Sequence, residues 1–282
     1  KLRKKFIPKL SSLELVSSYC LTEAGAGSDA ASLKTTAKKK GNSHYIVNGS
    51  KSFISGGPTS DVFAVMCRTG DNTSSGISCL LIEKGTKGLS FGKREKKLGW
   101  NSQHPSPVNF DNCEIPLDNL VGNEGEGFKL AMKGLDGGRV NIAACSIGGA
   151  KLAMESSLNY TSERKQFGKH LNQFQVTQFK LADMATSLEA SKLMVYKAAS
   201  SIDNDDINVA TNCAMAKRFA TDTCFEICNE ALQIHGGYGY LKDFPLERLI
   251  RDLRVHQILE GTNEIMRLII SRNLIEKNRD LK

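Results

Sequence analysis

Tyr45-Ile46-Val47-Asn48-Gly49-Ser50-Lys51-Ser52-Phe53-Ile54 is the stretch that decides the class of the fold. Two apolar runs flank Asn48-Gly49. Asn-Gly between such runs is the strongest short-range hairpin signal, because both residues tolerate positive φ. Outward from this expected hairpin, residues 61–67, 77–82, 89–91 and 108–110 read as further short strands, punctuated by Gly, Asp, Asn and Pro. The segment from Ser18 to Val121 is therefore expected to be an all-β domain, a small barrel or sandwich.

The texture changes near Gly127, beyond which Pro245 is the one proline. Val176, Phe179, Leu181, Ala182, Ala185, Leu188 and Leu193 recur at spacings of three and four. So do Val209, Ala210, Cys213, Ala216, Lys217, Ala220, Cys224, Ile227, Cys228 and Ala231. This periodicity marks amphipathic helices of several turns, and short connections between them predict an antiparallel bundle. Strands first and helices second make the chain α+β, not an alternating doubly wound sheet.

Composition narrows the function. The 282 residues are 40% hydrophobic and 24% charged, as in ordinary globular domains. No apolar run reaches the roughly 18 residues of a membrane span, so no membrane insertion is expected. The net charge of +8 suits an anionic partner. However, the densest basic run, Lys38-Lys39-Lys40, has no interleaved aromatics to stack on bases, which argues against nucleic acid. The eight cysteines are scattered through apolar segments, the pattern of buried thiols in a reducing compartment. Cys224 and Cys228 lie four apart with His235 beyond, but a fourth ligand is lacking, and packing is expected there rather than a metal. The opening KLRKKFIPKLSS has no apolar stretch behind its basic residues and does not read as a secretory signal.

Five motifs bear on chemistry. In Tyr19-Cys20-Leu21-Thr22-Glu23-Ala24-Gly25-Ala26-Gly27-Ser28-Asp29, the glycines mimic a dinucleotide fingerprint, but a basic loop follows where a helix is required. What remains is a bare loop, or a polar loop whose N–H groups and hydroxyls approach phosphates or a flavin ring. Leu135-Asp136-Gly137-Gly138-Arg139 puts two glycines in a helix at roughly 1 kcal/mol each, tolerated where something lies close to the backbone. Arg164-Lys165-Gln166-Phe167-Gly168 taken alone is a solvated helix end. His235-Gly236-Gly237-Tyr238-Gly239-Tyr240 holds more glycine than a helix C-cap needs, so close approach of a ligand competes with capping. In Ile258-Leu259-Glu260-Gly261-Thr262-Asn263-Glu264-Ile265-Met266-Arg267, Thr262 is placed to cap a helix and Glu264 to complement its dipole. Glu260 has no such duty, and taken alone reads as an exposed loop carboxylate.

Together, and in this order, the five motifs resemble the acyl-CoA dehydrogenase family over nearly the whole chain, from about Phe6. The resemblance implies a three-part fold. Residues 1–17 would be a remnant of an N-terminal helical domain absent from this chain, 18–122 a middle β domain, and 123–282 a C-terminal antiparallel four-helix bundle. It implies FAD, lined by Tyr19, Cys20, Leu21, Thr22, Glu23, Ala24, Gly25, Ala26, Gly27 and Ser28 with Phe53, Ile54 and Ser55, Thr22 bonding the flavin ring. In the family's homotetramer, Arg164, Phe174, Gln175, Gln233, Ile234, His235, Gly236 and Gly237 would reach FAD held by a neighbouring subunit. Thr262, Asn263 and Glu264 would flank the cofactor. Ser28, Asp136, Gly137, Gly138, Arg139 and Arg272 would contact the CoA moiety of an acyl-CoA substrate, arginines suiting its phosphates.

The segments Gly92–Gln103 and Gly134–Arg139 look most like the branch that oxidises isobutyryl-CoA to methacrylyl-CoA in valine degradation. That branch implies the mitochondrial matrix and an electron-transfer flavoprotein as electron acceptor. Asp136 stands where the branch carries Asn, and Ala24 where the family usually carries Pro. The family's reaction takes a proton from Cα of a thioester, which calls for a desolvated carboxylate. The resemblance gives that role to Glu260. The family's other base position, one residue before the arginine of LDGGR, is Gly138 here, which cannot act. Competing expectations are a 2-methylbutyryl- or butyryl-CoA dehydrogenase, an acyl-CoA oxidase, and a non-catalytic oligomerisation module.

Overall fold

A computed structural model describes residues 1–280 and resolves them into two compact units, residues 1–97 with 101–134, and residues 98–100 with those from Leu135 on. Residues 281 and 282 of the expected C-terminal domain lie outside the described residues. The division falls within a helix, at 134/135, whereas the expected boundary lay at 122/123.

The first unit runs α1 (Leu2–Ser11), β1 (Ser17–Cys20), β2 (Thr36–Lys40), β3 (His44–Ile54), β4 (Val62–Arg68), β5 (Ile77–Glu83), β6 (Leu89–Phe91), β7 (Ser106–Pro116) and β8 (Leu120–Val121). The strands form one mixed sheet in the order β6-β7-β3-β2-β4-β5-β8, with β1 paired in parallel to β4. Cys20, Val47, Phe63, Val65, Cys67, Leu80, Val108 and Ile115 share one buried core. Phe63 on β4 and Phe91 on β6, strands well apart in the sheet order, bring their rings to 5.5 Å. The sheet therefore folds over on itself, as the barrel or sandwich expectation requires.

The expected hairpin at Asn48-Gly49 does not form. The chain turns earlier, between β2 and β3, and β3 runs through Asn48-Gly49 with a bulge, its register against β7 slipping between Val47 and Gly49. Gly49 has φ +147°, and a methyl group there would come within 2.7 Å of Thr35 Cα. Asn48 Oδ1 accepts from the Asn112 N–H on β7 at 2.8 Å. The same two residues that suit a turn also suit a bulge with a close backbone neighbour.

The second unit comprises most of α2 (Gly127–Glu163), then β9 (Lys165–Gln166), β10 (Lys169–His170), α3 (Gln175–Asp203), α4 (Val209–His235), α5 (Leu246–Leu253) and α6 (Asn263–Asp280). Alanines make the close contacts: Ala143, Ala150 and Ala153 of α2 meet Met184, Leu188, Val195 and Ala198 of α3 and the buried face of α4. That face follows the sequence period, with Cys213, Ala216, Lys217, Ala220, Cys224, Ile227, Cys228 and Ala231 all buried. Burial pushes the Cys224 and Cys228 thiols up to about 12, so they pack as neutral groups. On α3 the period misled. Met184, Leu188, Ser191, Val195 and Ala198 point inward, while Val176, Phe179 and Leu193 are 61–63% exposed. Among the described residues no helix is long and apolar enough to cross a membrane.

Candidate active site

In the first unit the loop after β1 is held from behind. Lys51, fully buried on β3, donates to Leu21 O at 2.9 Å and to Glu23 Oε1 at 2.8 Å. Glu23 also accepts the Lys34 and Thr35 N–H groups at 2.7 and 2.9 Å. Burial works to raise the Glu23 carboxyl, but Lys51 and these donors outweigh it and hold it below the usual carboxylate range. The Glu23 side chain is thus a brace facing inward. Lys51, which motif reading passed over, is its partner. Its one sequence signal is a lysine amid an apolar alternation.

The outer face of this loop is open. Among the described residues, the N–H groups of Thr22, Gly25, Gly27 and Ser28 have no hydrogen-bond acceptor. Neither Gly25 nor Gly27 has positive φ, and a methyl on either would meet nothing within 4 Å. Neither backbone conformation nor packing within the chain therefore requires glycine at these two places. Phe53 lies nearby in the chain path, since Ser52 N–H donates to Thr22 O at 2.8 Å. It has φ +58° and is 66% exposed, an unfavourable conformation for an aromatic residue. Ser55 is exposed and Ile54 is buried in the core. Unpaired N–H donors, glycines free of internal duty and an exposed ring fit a ligand with phosphates and a planar aromatic system. FAD is such a ligand.

In the second unit Glu260 lies between the 3-10 turn 254–257 and α6. It adopts φ +57° and Gly261 φ +89°, two successive left-handed residues. The Glu260 carboxylate lies against Gly138 of α2, where a methyl would overlap Oε2 and stand 2.9 Å from Cδ. Burial raises the Glu260 carboxyl, and the opposing Arg139 and Lys217 charges do not cancel the effect. The Glu260 N–H donates to no group among the described residues.

Around Glu260 the expected roles are redistributed. Arg139, 4% exposed, donates to Glu260 O at 3.3 Å and to Asp136 Oδ1 at 2.7 Å. It is engaged within the protein, at the position expected to contact the CoA moiety. Burial raises the Asp136 carboxyl against the pull of Arg139. Gly137 faces open space and Arg272 is exposed on α6. Thr262 caps α6, its Oγ1 accepting the Ile265 N–H at 3.4 Å, and Glu264 stands exposed in the first turn. Asn263, expected at a cofactor, is 3% exposed and bonded to Lys217, Thr221 and Asp222. Lys217 itself went unrecognised because it falls on the apolar period of α4. Burial pushes it down to about 8.

A groove elsewhere in this unit brings Arg164 together with Ile234, His235, Gly236 and Gly237. Arg164 lies over the Tyr238 ring at 5.5 Å. Gly236 caps α4 at φ +58°, so part of the glycine run is capping as well as approach. His235 is buried, stacked on Tyr160 at 4.2 Å, and hydrogen-bonds at Nδ1 to Ala231 O at 2.7 Å, so its ring is a wall of the groove. Gln233 and Gln175 are exposed. Phe174 meets Phe167 edge-to-face at 6.4 Å. Phe167, 93% exposed at φ +51°, shares the strained exposure of Phe53.

Comparison with known proteins identifies both domains. Residues 18–113 match the acyl-CoA dehydrogenase middle domain and residues 125–275 the acyl-CoA dehydrogenase C-terminal domain. The mitochondrial isobutyryl-CoA dehydrogenase of Bos taurus is 54% identical over 98% of the chain, and that of Dictyostelium discoideum 56% identical over 96%. The chain spans 66% and 65% of the lengths of those two relatives. The solved butyryl-CoA dehydrogenase of Megasphaera elsdenii superposes with a TM-score of 0.95 at 38% identity, covering 97% of this chain and 71% of that one. With both domains matched, in order and over most of its length, the chain belongs to the acyl-CoA dehydrogenase family, a family of FAD-dependent oxidoreductases.

Proposed function

We propose that the protein catalyses α,β-dehydrogenation of a short branched acyl-CoA, isobutyryl-CoA to methacrylyl-CoA, with Glu260 as the α-proton base. One observation carries the reading: a carboxylate with raised proton affinity, seated against a glycine in a strained turn. A base of this kind holds the abstracted proton better than an exposed carboxylate would. The unpaired Glu260 N–H is available to the thioester oxygen, where negative charge develops as the proton leaves. FAD, when bound, supplies the acceptor for the β-hydride. The open loop donors at Thr22, Gly25, Gly27 and Ser28 with Phe53 are the residues that would hold it, while the Arg164–Gly237 groove would reach FAD held by a neighbouring subunit. Gly134 and Gly137 face open space along α2 and would admit the CoA moiety.

The isobutyryl preference rests on the two relatives above half identity, which also favour the mitochondrial matrix. Electron-transfer flavoprotein is the proposed electron acceptor, and a homotetramer the proposed assembly. In the full-length enzyme Glu260→Gln is expected to retain flavin absorbance and lose acyl-CoA oxidation by about a thousandfold or more. Wild-type turnover by that variant sinks the base assignment. A panel of isobutyryl-, 2-methylbutyryl- and butyryl-CoA on the wild type tests the substrate, and preference for the straight chain refutes isobutyryl.

A further inference from the structure

Lys217 lies in the middle of α4, on the face that packs the bundle, with no exposed surface. Lysine is almost never found so buried without a specific partner. Its Nζ donates to Gly261 O at 2.9 Å and to Asn263 Oδ1 at 2.8 Å. Asn263 in turn donates through Nδ2 to Thr221 Oγ1 at 2.9 Å and Asp222 Oδ1 at 2.6 Å. The amide orientation follows, with oxygen toward the ammonium and nitrogen toward the carboxylate. The two bonds of Lys217 therefore grip the chain just after Glu260, where Glu260 and Gly261 both have positive φ. The cap bond from Ile265 N–H to Thr262 Oγ1 is long, at 3.4 Å, and a weak alternative tether.

We propose that Lys217 is a positioning residue for the proton-abstracting step: by holding Gly261 O and Asn263 Oδ1 it fixes the left-handed turn that sets the Glu260 carboxylate against Gly138. The proposal rests on Glu260 being the base. The charges that act on Lys217 come from every side of the network: Asp222 on α4, Glu260 on the turn, Glu264 on α6 and Arg139 on α2. His256 on the 3-10 turn feels Lys217 in return. The Lys217 charge also opposes protonation of Glu260, so removing it shifts Glu260 further toward the protonated form.

The test uses the full-length, FAD-loaded enzyme. Lys217→Met is expected to keep its flavin and lower kcat by about tenfold to a hundredfold, the cost of a slightly misplaced base. KM for the acyl-CoA should stay within about threefold of wild type, because substrate contacts are untouched. The acidic limb of kcat should move to higher pH. Lys217→Arg, which keeps the charge and the donors, should recover part of the rate and return the limb toward wild type. Wild-type kcat in Lys217→Met overturns the proposal, and so does a rate loss with the limb unmoved. If Lys217→Met fails to fold, Asn263→Ala replaces it. Loss of kcat at constant KM then supports the proposal and unchanged kcat overturns it. Glu260→Gln separates the two readings. An active Glu260→Gln removes the base assignment and this proposal with it. An inactive Glu260→Gln beside a fully active Lys217→Met removes this proposal alone.

Discussion

At Gly138 the absent side chain is what the Glu260 carboxylate occupies. Gly138 is helical, so alanine is compatible with its backbone and favoured by about 1 kcal/mol of helix propensity. The added methyl nevertheless needs the space of Oε2. Gly138→Ala should therefore hold or raise the melting temperature while lowering kcat/KM by about tenfold or more. Unchanged kcat/KM together with a raised melting temperature would show that the carboxylate does not depend on this seat. The sequence identified Gly138 as a position that cannot be a base. Only the fold shows it as the floor on which the base rests.

At the scale of elements, β3 and the loop after β1 form one braced piece. The Lys51–Glu23 pair inside it is buried, and removing one member of such a pair typically costs about 3–5 kcal/mol, because the partner's charge is left without compensation. Lys51→Met should lower unfolding stability by an amount of that order. It should also reduce flavin occupancy, since the Thr22–Ser28 N–H groups lose their backing. Chemical denaturation and the flavin absorbance ratio measure the two effects, and full occupancy in a destabilised variant would confine the pair to stability. Strands β4, β5, β6 and β7 were legible from short apolar runs, whereas β2, Thr36–Lys40, was not, because its basic run reads as a loop. Nor was the bulge, because Asn48-Gly49 satisfies the rules for a turn and for a bulge alike. What selects the bulge is pairing with β7, some sixty residues away.

For the whole molecule the informative surface is the outer side of α3. Val176, Phe179, Leu193 and Tyr196 are 61–70% exposed, and all fall on one side of a helix whose other side packs against α4. Two exposed apolar pairs on one side of a helix, Val176 with Phe179 and Leu193 with Tyr196, are sites that another chain or domain can cover. Self-association across them fits the proposed tetramer. Phe179→Glu with Leu193→Glu should shift the full-length protein to smaller species in light scattering, while leaving the helical circular dichroism unchanged. An unaltered mass would place the contact elsewhere.

The sequence by itself determined the family, because five local strings in order are specific whatever their surroundings. It also determined the α+β order and the inward face of α4, where a 3.6-residue period of small apolar residues meets the core. It named Glu260 through resemblance and found no local duty for it, yet could not tell it from a solvated carboxylate. The tertiary structure decided that point. Proton affinity depends on desolvation and on charges at Arg139 and Lys217, which are distant in sequence and come together only when α2, α4 and the 260–263 turn pack. The same reason governs α3: its pattern shows two apolar faces, and which one is buried is set by the neighbouring helices rather than by the helix itself.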